Sequence, residues 1–201
     1  APVFTKGVNL TVLEDAASQS IVNFVKGISA GIGETAQTVS FVINSNSNPA
    51  LFSAVPVISP SGVLTYTPAP NANGVATIKY VARDDGGSSG GGKDTSAEQS
   101  FTITVKPVND LPTLTDVDDQ TINEDSVTAT RPFTISDLET PADQLAITVA
   151  SSNTKLIPVG NVVLGGSGAN RTVRVTPAAN LFGSATITLT VKDKNGGATS
   201  Q

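Results

Sequence analysis

Cysteine, methionine, tryptophan and histidine are all absent from this 201-residue chain. Without histidine and cysteine it lacks the usual ligands of zinc, copper and iron, the commonest general base and the most reactive nucleophile. An enzyme built on it would have to work with carboxylates, lysine or serine alone. Without cysteine no disulfide forms, so each core must suffice by itself, in a secreted bacterial protein or a cytosolic one alike. Positive charge is scarce too: 12 Lys and Arg stand against 17 Asp and Glu, for a net charge of −5. That balance argues against nucleic acid as a partner. No apolar run approaches the roughly 20 residues that span a bilayer, and no charged-then-apolar signal segment opens the chain. Direct membrane insertion is therefore not expected, and the sequence reads as an excerpt of something longer. With two Tyr, seven Phe and no Trp, sugar binding by ring stacking has weak support.

What is present points to strands. Val, Ile, Leu, Ala and Thr dominate, and β-branched side chains suit a pleated, half-buried surface better than a helix. Eighteen Gly and twelve Pro punctuate the chain at short intervals, which suits many brief strands joined by turns.

The chain also repeats itself. Residues 2–15, PVFTKGVNLTVLED, match residues 112–125, PTLTDVDDQTINED, 110 positions on. Residues 65–87, TYTPAPNANGVATIKYVARDDGG, match residues 174–197, RVTPAANLFGSATITLTVKDKNGG, where Pro68 meets Pro177 and Gly74 meets Gly183 in a register of 109. A period this long is too great for a solenoid and equals one immunoglobulin-like sandwich of about 100 residues. The expected architecture is all-β: two tandem immunoglobulin-like antiparallel β-sandwiches over residues 1–110 and 111–201. In the first copy strands are expected near residues 8–13, 20–25, 37–43, 51–58, 62–67, 75–83 and 99–106. Alternation is plain in Thr77-Ile78-Lys79-Tyr80-Val81 and Phe101-Thr102-Ile103-Thr104-Val105. The second copy stops at Gly196-Gly197-Ala198-Thr199-Ser200-Gln201, where the first continues into Phe101–Val105. It is expected to lack its last strand and to leave an open edge and an apolar groove. Continuation of the chain is the favoured cover for that groove, and a strand from another copy is the alternative.

Taken together, PTLTDVDDQTINEDS, TPAANLFGSATITLTVKD and FTITVKPVNDLP resemble the cadherin-like, immunoglobulin-like repeats of large bacterial surface and secreted proteins. The resemblance covers essentially the whole chain. It implies calcium (Ca2+) where consecutive domains meet, held by acidic side chains of facing loops and the linker. Carried over residue by residue, the ligands are Glu14 and Asp15 on the first strand, with Asn71 and Asn73 beside them. They continue with Asn109 and Asp110 in the linker, Asp137 and Glu139 in SDLE, and Asp193 in VKDKNGG. Such an oxygen-only set suits calcium, which takes six to eight oxygen ligands in irregular geometry. The competing reading is that these acids merely keep turns and strand ends soluble. Asp116, Asp118 and Asp119 form a further acidic cluster, and Asp84 and Asp85 lie at the first domain's other end.

Several motifs carry less than they suggest. Gly87–Asp94, GSSGGGKD, nearly spells a phosphate loop, but Asp94 breaks it and a strand rather than a helix follows. Gly165-Gly166-Ser167-Gly168 reads as a turn. Asn9-Leu10-Thr11 and Asn170-Arg171-Thr172 fit the glycosylation triplet, which arises readily in Asn- and Thr-rich chains. Neither Lys79 nor Lys106 can be assigned to a Lys-to-Asn isopeptide bond. No carboxylate pair has the apolar, aromatic surroundings of a glycosidase.

The expected function is therefore non-enzymatic. It is a structural or adhesive extracellular segment at the cell surface, a calcium-stiffened spacer or stalk in a larger surface protein. Its expected partners are neighbouring repeat domains of the same or another copy, and a cell-surface or matrix ligand. Two rivals stand beside it. One is the subunit of an extracellular filament assembled by strand addition. The other is a ligand-binding module whose recognition tip is the glycine-rich loop 86–97.

Overall fold

Short β-branched runs between Gly and Pro turns become strands in a computed structural model that describes residues 1–88 and 92–201. The chain divides into two units, Ala1–Val108 and Asn109–Gln201. In the first unit the strands are β1 (Val3–Thr5), β2 (Leu10–Leu13), β3 (Gln19–Ile21), β4 (Lys26–Ser29) and β5 (Val39–Asn46). They continue with β6 (Phe52–Ile58), β7 (Leu64–Pro68), β8 (Gly74–Asp84) and β9 (Gln99–Lys106). One sheet runs β2-β9-β8-β5 and another β3-β7-β6, with β1 and β4 paired beside them. Within the first sheet β9 lies antiparallel to β8 and parallel to β2.

Alternation explains the core. Along β8 and β9, Ala76, Ile78, Tyr80, Phe101, Ile103 and Val105 point inward and are buried. Their rings interlock: Phe101 meets Phe24 edge-on at 4.7 Å and Tyr80 at 5.7 Å. The expected strand over 20–25 is interrupted. Asn23 adopts a φ of 55°, which ends β3, drops Phe24 and Val25 into the core and restarts the chain as β4.

The second unit contains β10 (Thr113–Leu114), β11 (Arg131–Ser136), β12 (Ala146–Ser151), β13 (Val162–Ser167), β14 (Asn170–Val175), β15 (Ile187–Lys192) and β16 (Ala198–Ser200). Its sheets run β10-β11-β14-β13 and β12-β15-β16, around a core of Leu114, Phe133, Ile135, Leu145, Val162, Val173, Leu189 and Val191. Gly165–Ser167 belong to β13, and the turn itself falls at Gly168.

The sequence did not suggest that Ala198–Ser200 would pair. They form β16, antiparallel to β15 with Lys192 opposite Ala198 and Thr190 opposite Ser200, and Leu189 and Gln201 then exchange backbone hydrogen bonds of 2.8 and 3.0 Å.

The duplication reaches atomic detail. Asp15 (φ 60°) accepts a hydrogen bond on Oδ1 from Asn71 N at 3.0 Å, and Asp125 (φ 61°) accepts one from Asn180 N at 2.8 Å. Three residues after each Asn stands a glycine with φ of 137° or 142°, Gly74 and Gly183. That region is open almost only to glycine, so the β8 turn and its counterpart are fixed by the same chemistry.

Candidate functional site

The acidic residues singled out in the sequence fall into one group in each unit. In the first, the Glu14 amide donates to Lys106 O at 2.9 Å, extending the parallel β2–β9 pairing by one residue. Its side chain is only 2% exposed. Oε1 accepts from Val108 N at 2.7 Å and Oε2 from Asn73 Nδ2 at 3.2 Å. Asp15 turns the other way, because its left-handed backbone aims the exposed carboxylate at Asn71 N. Glu14 therefore ties the end of β9 to the β7–β8 turn, and Asp15 caps that turn.

In the second unit, Asn109, Asp110, Glu139 and Asp193 are linked directly. Asn109 donates through Nδ2 to Asp193 Oδ2 at 2.8 Å and to Asp110 O at 2.9 Å, and its Oδ1 accepts from Asn195 Nδ2. The Asp110 amide donates to Glu139 Oε2 at 3.2 Å. Asp137 Oδ1 accepts from Glu139 N at 3.1 Å and Thr140 N at 2.6 Å, which shapes the SDLET loop. Asp193 does the same for the loop after β15: its Oδ1 accepts from Asn195 N at 2.7 Å and Gly197 N at 2.9 Å. The hydrogen bond from Asn109, helped by these backbone amides, holds the Asp193 carboxyl below the ordinary Asp value of 3.8.

Both oxygens of Asp193 are thus engaged in structural work. Asp110 and Asp137 differ, since each keeps an Oδ2 that is buried and has no hydrogen-bond partner. Thr140, 1% exposed, leaves its Oγ1 without one as well. A buried carboxylate oxygen without a donor is costly unless something cationic or protic reaches it. Among the described residues, no group of three or more acidic side chains is close enough to hold a metal by itself. A cation here would need backbone carbonyls, the Asn109 amide oxygen or water to complete its shell.

Sequence reasoning missed Asn195 and Thr140. The Asp-x-Asn-Gly pattern of 193–196 could have shown the first; nothing marks the second. Of the further acids, Asp85 accepts from Thr38 N at 2.9 Å and Thr38 Oγ1 at 2.7 Å, closing a loop. The loop 86–97 includes residues 89–91, outside the described residues. No helix among the described residues is long and apolar enough to cross a membrane.

Two tandem β-sandwiches with polar loops at strand ends make an immunoglobulin-like, cadherin-like fold. Residues 109–201 match the family described as bacterial Ig domain. Human CDH23 EC21-23 is similar over 99% of this chain and 67% of that one, with a TM-score of 0.50 and 13% identity. The protocadherin GammaB4 extracellular domain is similar over 100% of this chain and 31% of its own, with a TM-score of 0.50 and 15% identity. At such identities the likeness is one of fold. No curated protein matches the chain.

Proposed function

We propose that this chain is an extracellular structural repeat segment, a spacer or stalk of a larger surface protein, which takes up calcium on its second unit. The bacterial Ig domain match and the cadherin-like fold support the repeat role. The calcium reading rests on one observation, the buried and partnerless Oδ2 atoms of Asp110 and Asp137. Both belong to segments tied together through Glu139, whose carboxylate receives the Asp110 amide while its own amide is held by Asp137. Asp110 and Asp137 would provide the charged oxygens, and the Asn109 amide oxygen, backbone carbonyls or water the neutral ones. Bound there, the cation would fix the segment around Asp110 against the SDLET loop. Asp193 orients Asn109 from the other side.

Extracellular modules bind calcium with dissociation constants of about 10⁻⁴ to 10⁻³ M. At roughly 1 mM the gain is then only about 0.4 to 1.4 kcal/mol per site, enough to stiffen a joint but not to fold a domain. Calcium titration followed by calorimetry and thermal melting tests this. Millimolar calcium should raise the melting temperature of the second unit, and Asp110→Ala should abolish the rise. So should Asp137→Asn, which retains an acceptor for the loop amides. A melting curve indifferent to millimolar calcium would remove the ion from this reading and leave the repeat role.

A further inference from the structure

We propose that the Thr140 hydroxyl is a further ligand of the calcium assigned above to the second unit, the neutral side-chain oxygen that joins the carboxylates of Asp110 and Asp137 on one ion. The inference rests on that calcium reading and adds to it a residue that carries no charge.

Among the described residues the second unit has three buried side-chain polar atoms without a hydrogen-bond partner: Asp110 Oδ2, Asp137 Oδ2 and Thr140 Oγ1. All three belong to one hydrogen-bonded knot. The Asp110 amide donates to Glu139 Oε2 at 3.2 Å, and Asp137 Oδ1 accepts from the amides of Glu139 at 3.1 Å and Thr140 at 2.6 Å. The SDLET loop so closed turns Leu138, 61% exposed, out to solvent and Thr140, 1% exposed, into the fold. A threonine hydroxyl donates one hydrogen bond and accepts up to two, and burying it with that capacity unused is costly. Closing the loop does not require the hydroxyl, since the Thr140 amide and Asp137 Oδ1 already do so.

The neighbouring oxygens have other tasks. Glu139 Oε2 accepts the Asp110 amide, Asp193 Oδ2 accepts from Asn109, and Asn109 Oδ1 accepts from Asn195 Nδ2. Thr140 Oγ1 is left as a neutral oxygen with nothing else to do. Two carboxylates match the charge of a divalent cation, and calcium accepts neutral oxygens beside them, with backbone carbonyls and water filling its shell. The trio is peculiar to the second unit. Ser29, opposite Val3, stands in the first unit where Ser136, opposite Thr113, stands in the second. Ser136 is followed by Asp137, whereas Ser29 is followed by Ala30, which offers no side-chain oxygen.

The test compares the 201-residue chain with Thr140→Val and Thr140→Ser, by calorimetric calcium titration and by urea unfolding in EDTA. Valine keeps the shape of the side chain and removes the hydroxyl. In EDTA Thr140→Val is expected to raise the urea midpoint of the second unit, because an unpaired buried hydroxyl has gone. In calcium titration it is expected to bind the ion at least about fivefold more weakly, and Thr140→Ser to restore the affinity. A hydroxyl with a purely structural role gives the reverse pattern, a lower midpoint in EDTA and an unchanged affinity. Either of those results overturns the inference while leaving the calcium reading in place. Failure of the unsubstituted chain to take up millimolar calcium overturns both.

Discussion

Gly7 faces the ring of Phe24 so closely that a Cβ there would overlap Phe24 Cε2. Its backbone conformation is unexceptional, so the constraint is space. Gly7→Ala must push Phe24 off Phe101, and is expected to lower the stability of the first unit by about 1–3 kcal/mol in urea unfolding. An unchanged midpoint would show that Phe24 can move at no cost. Nothing in the sequence marked Gly7, because the clash involves a ring 17 residues away. The Glu14-Asp15 pair was legible, since Glu124-Asp125 repeats it. The separate fates of the two carboxylates were not, because they follow from the left-handed turn at Asp15.

At the level of elements, long alternating strands were easy to read and short ones were not. β8 and β9 fall close to the expected 75–83 and 99–106 because period-two burial runs along β9 and along β8 as far as Tyr80, after which Val81 and Ala82 are buried too. β1 and β4 escaped notice, being three and four residues long and paired only with each other. The segment around Asn109 and the loop after β15 form one hydrogen-bonded element, and it has a pH signature. The Asp193 carboxyl is held below its ordinary value, so its contribution to stability is complete above the unfolded value of 3.8 and is lost as pH falls through the lower folded value. Acid titration should therefore destabilise the second unit below about pH 4, and Asn109→Ala should weaken that dependence. Equal acid sensitivity with and without Asn109 would assign the effect to other carboxylates.

Across the whole molecule the duplication was legible, because two registers one residue apart, 110 and 109, bring turns and acids into correspondence. The unequal cores were not, as they depend on which neighbours cover each strand. Five aromatic residues, Phe24, Phe52, Tyr66, Tyr80 and Phe101, lie in the first core, while Phe133 is the aromatic member of the second among the described residues. Aromatic side chains dominate core energetics. Unfolding is expected in two steps, with β15 amides losing protection from exchange before those of β8. Equal loss of protection in the two strands would contradict this order.

The paired turns at Asp15–Asn71 and Asp125–Asn180 also bear on how such a chain avoids tangling as it folds. Adjacent copies that nucleate through the same turn chemistry risk exchanging strands, the characteristic failure of tandem repeats. Here the turns are alike but what they deliver is not. Tyr80 in the first core corresponds to the smaller Leu189 in the second, and Phe182 cannot replace Asn73 as a donor to Glu14. Divergent cores beneath a shared turn therefore make a strand from the wrong copy a poorer fit, so refolding of the 201-residue chain is expected to yield monomer without strand-exchanged dimer.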